Sequence, residues 1–277
     1  MQAGRTGMFW TAVSVILFGV SCNVVMENRR ECPCTLSVRL EGLPAYPVTL
    51  LVNDSVVGKA HADTTFHVWV ETGGTATVTA VSGADPLPDL QVRIPYGEAS
   101  PPLYVFRGTA DCTGESAFVQ VHMQKHFCTL NLRFAGLAEG AVTEGANPQG
   151  ASAIKLATEG CAPSGYIDRP FSVAIRGSVN GYSLAEGEPL QGAFRCRVQA
   201  TSARIPRHRP GDPLWLDITL QDSVLRSFPL GTYLEKAGYD WTAPDLPDRD
   251  VEMDISVTSI RFRSGTWSTV CELDLVI

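Results

Sequence analysis

One strand opening is written twice in this chain, and the spacing of the two copies limits the fold more than any other feature. Cys34-Thr-Leu-x-Val-Arg-Leu-x-Gly-Leu43 returns as Cys128-Thr-Leu-x-Leu-Arg-Phe-x-Gly-Leu137, an offset of 128 − 34 = 94 residues. In each copy apolar side chains fall on every second residue, the period of a strand with one buried face. An interval of about ninety residues is the size of one β-sandwich, and two copies are too few for a solenoid. The repeat predicts tandem domains that open on the same strand.

The rest of the chain fits that expectation. Between the copies lie short runs at 35–40, 48–53, 66–71, 76–81, 90–94, 103–108 and 117–123. Asn53-Asp54, Gly73-Gly74, Gly83-Ala-Asp-Pro86 and Pro101-Pro102 supply turns between them. Residues 75–79 and 66–70 carry the β-branched and aromatic types that suit a pleated surface. After the second copy, 138–160 is rich in Gly, Ala and Glu and reads as a loop with a strand at 153–157. Strands are predicted at 171–176, 193–200, 214–220, 251–257 and 268–276. One helix is predicted over 230–237, where Leu230, Tyr233, Leu234 and Ala237 share a face and Gly238 follows as a cap. The fold class is all-β: two sandwich domains, 33–124 and 125–277, with one short helix in the second.

The N-terminus reads as a targeting segment. Residues 8–20, MFWTAVSVILFGV, are apolar and follow Arg5. The run is shorter than the roughly 20 residues that cross a bilayer, so 1–21 reads as an export signal. It ends Gly19-Val20-Ser21-Cys22, close to the processing site of bacterial lipoproteins, with Gly19 where Leu is usual. Cys22 is the expected lipid carrier; plain signal-peptidase cleavage at the same place is the alternative. Acyl chains gain ~0.8 kcal/mol per buried methylene, so a multiply acylated Cys22 would hold the protein on a membrane. Residues 22–32 form a polar tether in which Arg29-Arg30 is either a protease site or a solvated charge pair.

Eight cysteines suit an oxidising compartment. With Cys22 lipidated seven remain, so at least one is free or pairs outside the chain. Sequence leaves their connectivity open, and Cys32 and Cys34 are too close to be presumed partners.

A net charge of −7 argues against nucleic acid as a partner. There is no G-x-S-x-G elbow, phosphate loop, dinucleotide fingerprint or HExxH, and no enzyme, cofactor or metal site is expected. His122 and His126 lack an evident third ligand and read as structural or solvent-facing. Arg204, Arg207, His208 and Arg209, beside Pro206 and Pro210, read as a solvated basic turn, with a partner-binding patch as the alternative. Trp69, Trp215, Trp241 and Trp267 are the aromatics a glycan platform would use, with burial in the core as their competing fate.

Several motifs occur in an order that resembles one family. They are Glu31-Cys-Pro-Cys-x-Leu-x-Val38, Asn180-Gly-Tyr-x-Leu-x-x-Gly-x-Pro-Leu-x-Gly192 and Phe228-Pro-Leu-Gly-x-Tyr-Leu-x-x-x-Gly-Tyr-Asp-Trp241. Residues 248–255, with Trp267 ahead of the last strand, complete the series. Together with the lipoprotein signal they resemble the fimbrillin-associated anchor subunits of Bacteroidales type V fimbriae. The resemblance implies two transthyretin-like β-sandwich domains and a surface-exposed lipoprotein at the outer membrane, held through lipid on Cys22. It implies fimbrial shaft subunits as partners, joined when a strand of one subunit completes the sheet of the next.

The chain's final run alternates around Cys271, Leu273, Leu275 and Ile277; with Val270 these form the candidate donor strand. In shaft-type relatives, cleavage after an Arg removes a first strand. Arg29-Arg30 precede the strand at 35–40, so a cut there would release the lipid without emptying a groove. That favours an anchor or terminator over a shaft subunit. The alternatives are a tip adhesin with ligand contacts in 138–150, and a surface glycan-binding lipoprotein.

Overall fold

The computed structural model describes residues 33–71, 74–135, 171–198, 202–220, 223–255 and 259–272. The signal, the tether with Cys22 and Arg29-Arg30, the loop at 138–160 with its strand at 153–157, and Leu273, Leu275 and Ile277 lie outside the described residues.

The first half contains β1 (Cys34–Leu40), β2 (Val48–Val52), β3 (Ser55–Ala60), β4 (Thr64–Val70), β5 (Thr75–Ser82), β6 (Gln91–Arg93), β7 (Tyr104–Asp111), β8 (Ser116–Val121) and β9 (Gln124–Lys125). A three-stranded sheet β4-β1-β8 and a five-stranded sheet β3-β2-β5-β7-β9 share one apolar core. The second half contains β10 (Phe127–Ala135), β11 (Phe171–Ser183), β12 (Glu188–Arg197), β13 (Ser202–Pro206), β14 (Leu214–Leu220), β15 (Ser223–Phe228), helix α1 (Leu230–Lys236), β16 (Arg249–Ile255), β17 (Ser259–Ser264) and β18 (Trp267–Glu272). Its sheets, β13-β10-β16-β17-β18 and β12-β11-β14-β15, enclose a second core. This is the expected all-β sandwich architecture with one short helix.

The repeated strand openings occupy matching places. β1 runs antiparallel to β4 and parallel to β8, while β10 runs antiparallel to β13 and parallel to β16. Cys34, Leu36, Val38 and Leu40 are fully buried, and so are Cys128, Leu130 and Leu132. Burying a leucine or valine side chain stabilises by about 1.5–3 kcal/mol, so each copy anchors an interior strand of its sheet.

Asn53 and Asp54, with φ of 48° and 63°, form a two-residue turn that closes Val52 onto Ser55. Two successive left-handed residues are what a hairpin of this hand requires. Helix α1 ends where Gly238, at φ 79°, turns the chain back. There the Tyr239 N–H donates to the Leu234 carbonyl and the Gly238 N–H to the Glu235 carbonyl, both at 2.9 Å. This paired closure satisfies carbonyls that the helix end would leave open.

The strand predicted at 90–94 differs from expectation. It shrinks to β6 and pairs with β11 in the second half, extending that sheet beyond the end of β14. The Ile94 N–H donates to the Asn180 carbonyl at 2.7 Å, and the Leu184 N–H to the Leu90 carbonyl at 2.8 Å. The backbones approach so closely that a Cβ on Gly181 would lie 2.1 Å from the Val92 carbonyl oxygen. Leu51, Val81, Val92, Leu103, Val105, Tyr182 and Leu184 form a third apolar cluster that bridges the two halves. Strands β3, β9, β13, β15 and β17 were not predicted. Most of β3 is solvent-exposed, so it carries little apolar alternation to read.

Candidate functional site

Among the described residues, one sheet edge and one groove between two further edges are candidate places to meet a partner. The first is β18. It pairs with β17 in six consecutive steps, from Ser264–Trp267 to Ser259–Glu272, with no register shift. Gly265, at φ 60°, makes the two-residue turn between them. Trp267 fastens the start of the strand. Its ring lies 5.1 Å from Tyr233 of α1 and 6.0 Å from Phe262, and Phe262 is fully buried.

Arg249 supports the turn: its Nε donates to Ser264 Oγ at 2.9 Å and its Nη2 to the Ala237 carbonyl at 2.7 Å. β18 ends the strand order of its sheet, so its outer edge has no neighbour among the described residues. The strand predicted at 268–276 is thus Trp267–Glu272 within the described residues. Val270 and Cys271 of the candidate donor set lie in it, opposite Arg261 and Ile260, and Val270 is 54% exposed.

The second open feature lies on the first sandwich. β3 borders one sheet and β4 the other, and a groove of about 570 Å3 runs between them. Val52, Val57, Val68 and Val70 give it apolar walls, and Asn53, Ser55 and Glu71 give it polar groups. Trp69 borders it and is 73% exposed. On the same solvent face of β4-β1-β8, Ser37 pairs with His67 on one side and Phe118 on the other. Ser37 Oγ and His67 Nδ1 are hydrogen-bonded at 3.0 Å, and Phe118 is exposed. Sequence reasoning missed this groove because it missed β3. The Asn53-Asp54 turn followed by Val56-Val57 was the available signal.

Apart from Trp69 and Trp267, the remaining candidate residues lie outside β18 and the groove. The basic turn is solvated only in part: Arg204 and Arg209 are exposed as expected, while Arg207 and His208 are not. Arg207 spreads its guanidinium over four backbone carbonyls, those of Trp241, Ala243, Pro244 and Lys125, at 2.8–3.2 Å. His208 is buried against Trp241, and its Nδ1 meets the Pro206 carbonyl at 2.8 Å. Arg204 donates to the Ser100 carbonyl, and Arg209 pairs with Glu188. A planar cation with several fixed donors suits this stapling of loops.

His122 is exposed and His126 buried, and the two share no metal cluster among the described residues. Trp241 is core, Trp267 is partly buried in the aromatic cluster, and Trp215 lies under the Arg176 guanidinium at 5.1 Å. Trp69 alone of the four is predominantly exposed.

No protein-family model and no curated protein matches this chain. Solved structures do match. The chain is similar to a candidate adhesin from Bacteroides ovatus at 15% identity, covering 87% of this chain and 95% of that one, with a TM-score of 0.54. It is similar to a candidate polysaccharide-binding protein from Bacteroides thetaiotaomicron at 12% identity, covering 86% and 98%, with a TM-score of 0.53. It is similar to the fimbrial anchor protein Mfa2 from Porphyromonas gingivalis at 10% identity, covering 86% and 99%, with a TM-score of 0.53. At such identities the likeness is one of fold, and this chain shares its all-β fold with a fimbrial anchor protein along nearly that protein's whole length.

Proposed function

We propose that this chain is an anchor or accessory subunit of a fimbria, held to the outer membrane by lipid on Cys22 and joined to shaft subunits by strand complementation. The open outer edge of β18 carries this reading. An unpaired edge offers a row of backbone donors and acceptors, and proteins that do not use such an edge guard it with charge, proline or a bulge. The described side chains of β18 offer Ser268, Thr269 and an exposed Val270 instead. Leu273, Leu275 and Ile277 continue the strand's sequence and would lengthen the ladder offered to a neighbour.

The placement of the two ends supports an anchor. The tether joins at Cys34, opposite Val70, on the first sandwich, while β18 belongs to the second. The foot and the docking edge therefore sit on different sandwich units, 33–124 and 125–277. β1 is a buried central strand, so cleavage at Arg29-Arg30 would free the lipid and leave the sheet complete. Deleting Val270–Ile277 is expected to abolish cell-attached fimbriae while the protein remains in the envelope at its normal level. Unchanged attachment would remove strand complementation as the mechanism.

A second reading has its own observation, the exposed Trp69 beside the groove. An indole face can stack on a pyranose ring while Asn53 and Glu71 supply hydrogen bonds. Under that reading Trp69→Ala abolishes glycan-array binding and leaves fimbrial attachment intact.

A further inference from the structure

Two thiols from facing sheets meet where the chain enters its first strand. Cys34 opens β1. Cys112 follows the last residue of β7, and its N–H donates to the Gly74 carbonyl at 2.9 Å, carrying the β5–β7 ladder one step further. Both residues are buried in the same core with free thiols, and the two segments are held together where the Thr35 N–H donates to the Glu115 carbonyl at 3.0 Å; the Cys34 thiol is close enough to perturb that of Cys112. Thiols in van der Waals contact lie about 2 Å beyond S–S bonding distance.

Two other cysteines, Cys128 and Cys196, are equally buried and have different partners. The Cys128 thiol meets the Tyr239 hydroxyl, and Cys196 meets the backbone of Ile175. Burial alone therefore does not bring cysteines together in this chain.

We propose that Cys34 and Cys112 form a disulfide that ties the first strand to the facing sheet. The two thiols together give up two protons and two electrons. The acceptor is a disulfide oxidant, either oxidised glutathione or a protein dithiol–disulfide carrier. One cysteine thiolate attacks the oxidant's disulfide and expels its first thiol; the second attacks the mixed disulfide and expels the other. Burial raises the Cys112 thiol above its ordinary value, so exchange is slow once the sandwich is closed. The bond forms while β1 is still docking.

The bridge closes a loop of 112 − 34 + 1 = 79 residues. It also changes what proteolysis can do. A cut in the connection between β1 and β2 leaves β1 covalently attached through Cys34, so the first strand cannot be exchanged for a foreign one. This holds whatever docks on β18.

The test is peptide mapping of the full chain made in an oxidising cell envelope. The protein is unfolded, alkylated without reduction and digested with trypsin. Peptide 31–39 carries Cys32 and Cys34, and peptide 108–125 carries Cys112. The expected product is these two peptides linked, with fragmentation placing the bridge on Cys34, while Cys128 and Cys196 are alkylated. Reduction is expected to lower Tm by about 10 °C. The Cys34→Ser/Cys112→Ser variant is expected to show no such shift. Alkylated Cys34 and Cys112, or a bridge from either to another cysteine, would overturn the proposal on the wild-type protein alone, even if the variant fails to fold. A wild-type Tm indifferent to reductant would overturn the tying role.

Discussion

Acid is expected to loosen this protein at the junction of its two cores, and His126 sets how much. His126 lies between β9 and β10 and is 7% exposed. Its N–H donates to the Leu103 carbonyl at 2.9 Å, and its own carbonyl accepts the Arg207 N–H at 3.0 Å. The ring stands edge-on to Tyr182 with centroids 4.5 Å apart, and Nδ1 has no hydrogen-bond partner. Burial, and then the Arg207 charge, hold the imidazole down from 6.5 to about 3.

The unfolded chain takes up a proton near pH 6.5 that the folded chain refuses until about pH 3. Stability is therefore complete above pH 6.5 and falls as pH drops through that value. Each pH unit in that window is worth about 1.36 kcal/mol, so going from pH 8 to pH 5 costs about 2 kcal/mol through this residue. Denaturant unfolding of the wild type and His126→Gln at both pH values isolates the effect. The variant is expected to lose about 2 kcal/mol less than the wild type between pH 8 and 5. Some dependence will persist, because burial also lowers His208. Equal losses in the two proteins, or an NMR titration of His126 near 6.5, would refute this account.

Other perturbations test the remaining contacts. Arg207→Met leaves four carbonyls short of a donor and is expected to cost about 3 kcal/mol in denaturant unfolding; Arg207→Lys is not expected to rescue it, because an ammonium lacks the fork. Gly181→Ala drives a methyl into the Val92 carbonyl and is expected to detach β6 from β11, seen as faster amide exchange at Ile94 and Leu184. Phe262→Ala empties the site between Tyr233 and Trp267 and is expected to cost about 3–5 kcal/mol, with the β17–β18 hairpin losing exchange protection first. Gly238→Ala forces an L side chain to φ 79° and is expected to lower helix stability by about 1 kcal/mol, read from unfolding at constant pH.

What could be read from residues alone depended on where each residue's partner lies. β1 and β10 were legible because one buried face imposes a period of two on seven or more residues. The Asn53-Asp54 turn and the Gly238 cap were legible because both are local, set by residues that tolerate positive φ. β17 carried a readable pattern, Phe262 buried between exposed Arg261 and Arg263, but only over a few residues. The strand character of β6 was legible but its partner was not, because that character is local and β11 begins 80 residues later.

Arg207 was misread for the same reason. A cation beside prolines looks solvated until the carbonyls of 241–244 and Lys125 are brought to it. The Cys34–Cys112 contact lies further out of reach, since no spacing rule joins thiols across a 79-residue loop. Periodicity reports which face a residue shows and is silent on what that face meets. In this chain the two halves are joined, the first strand is fastened, and a partner would be engaged entirely through such distant pairings. Its fold was therefore readable well before its docking edges were.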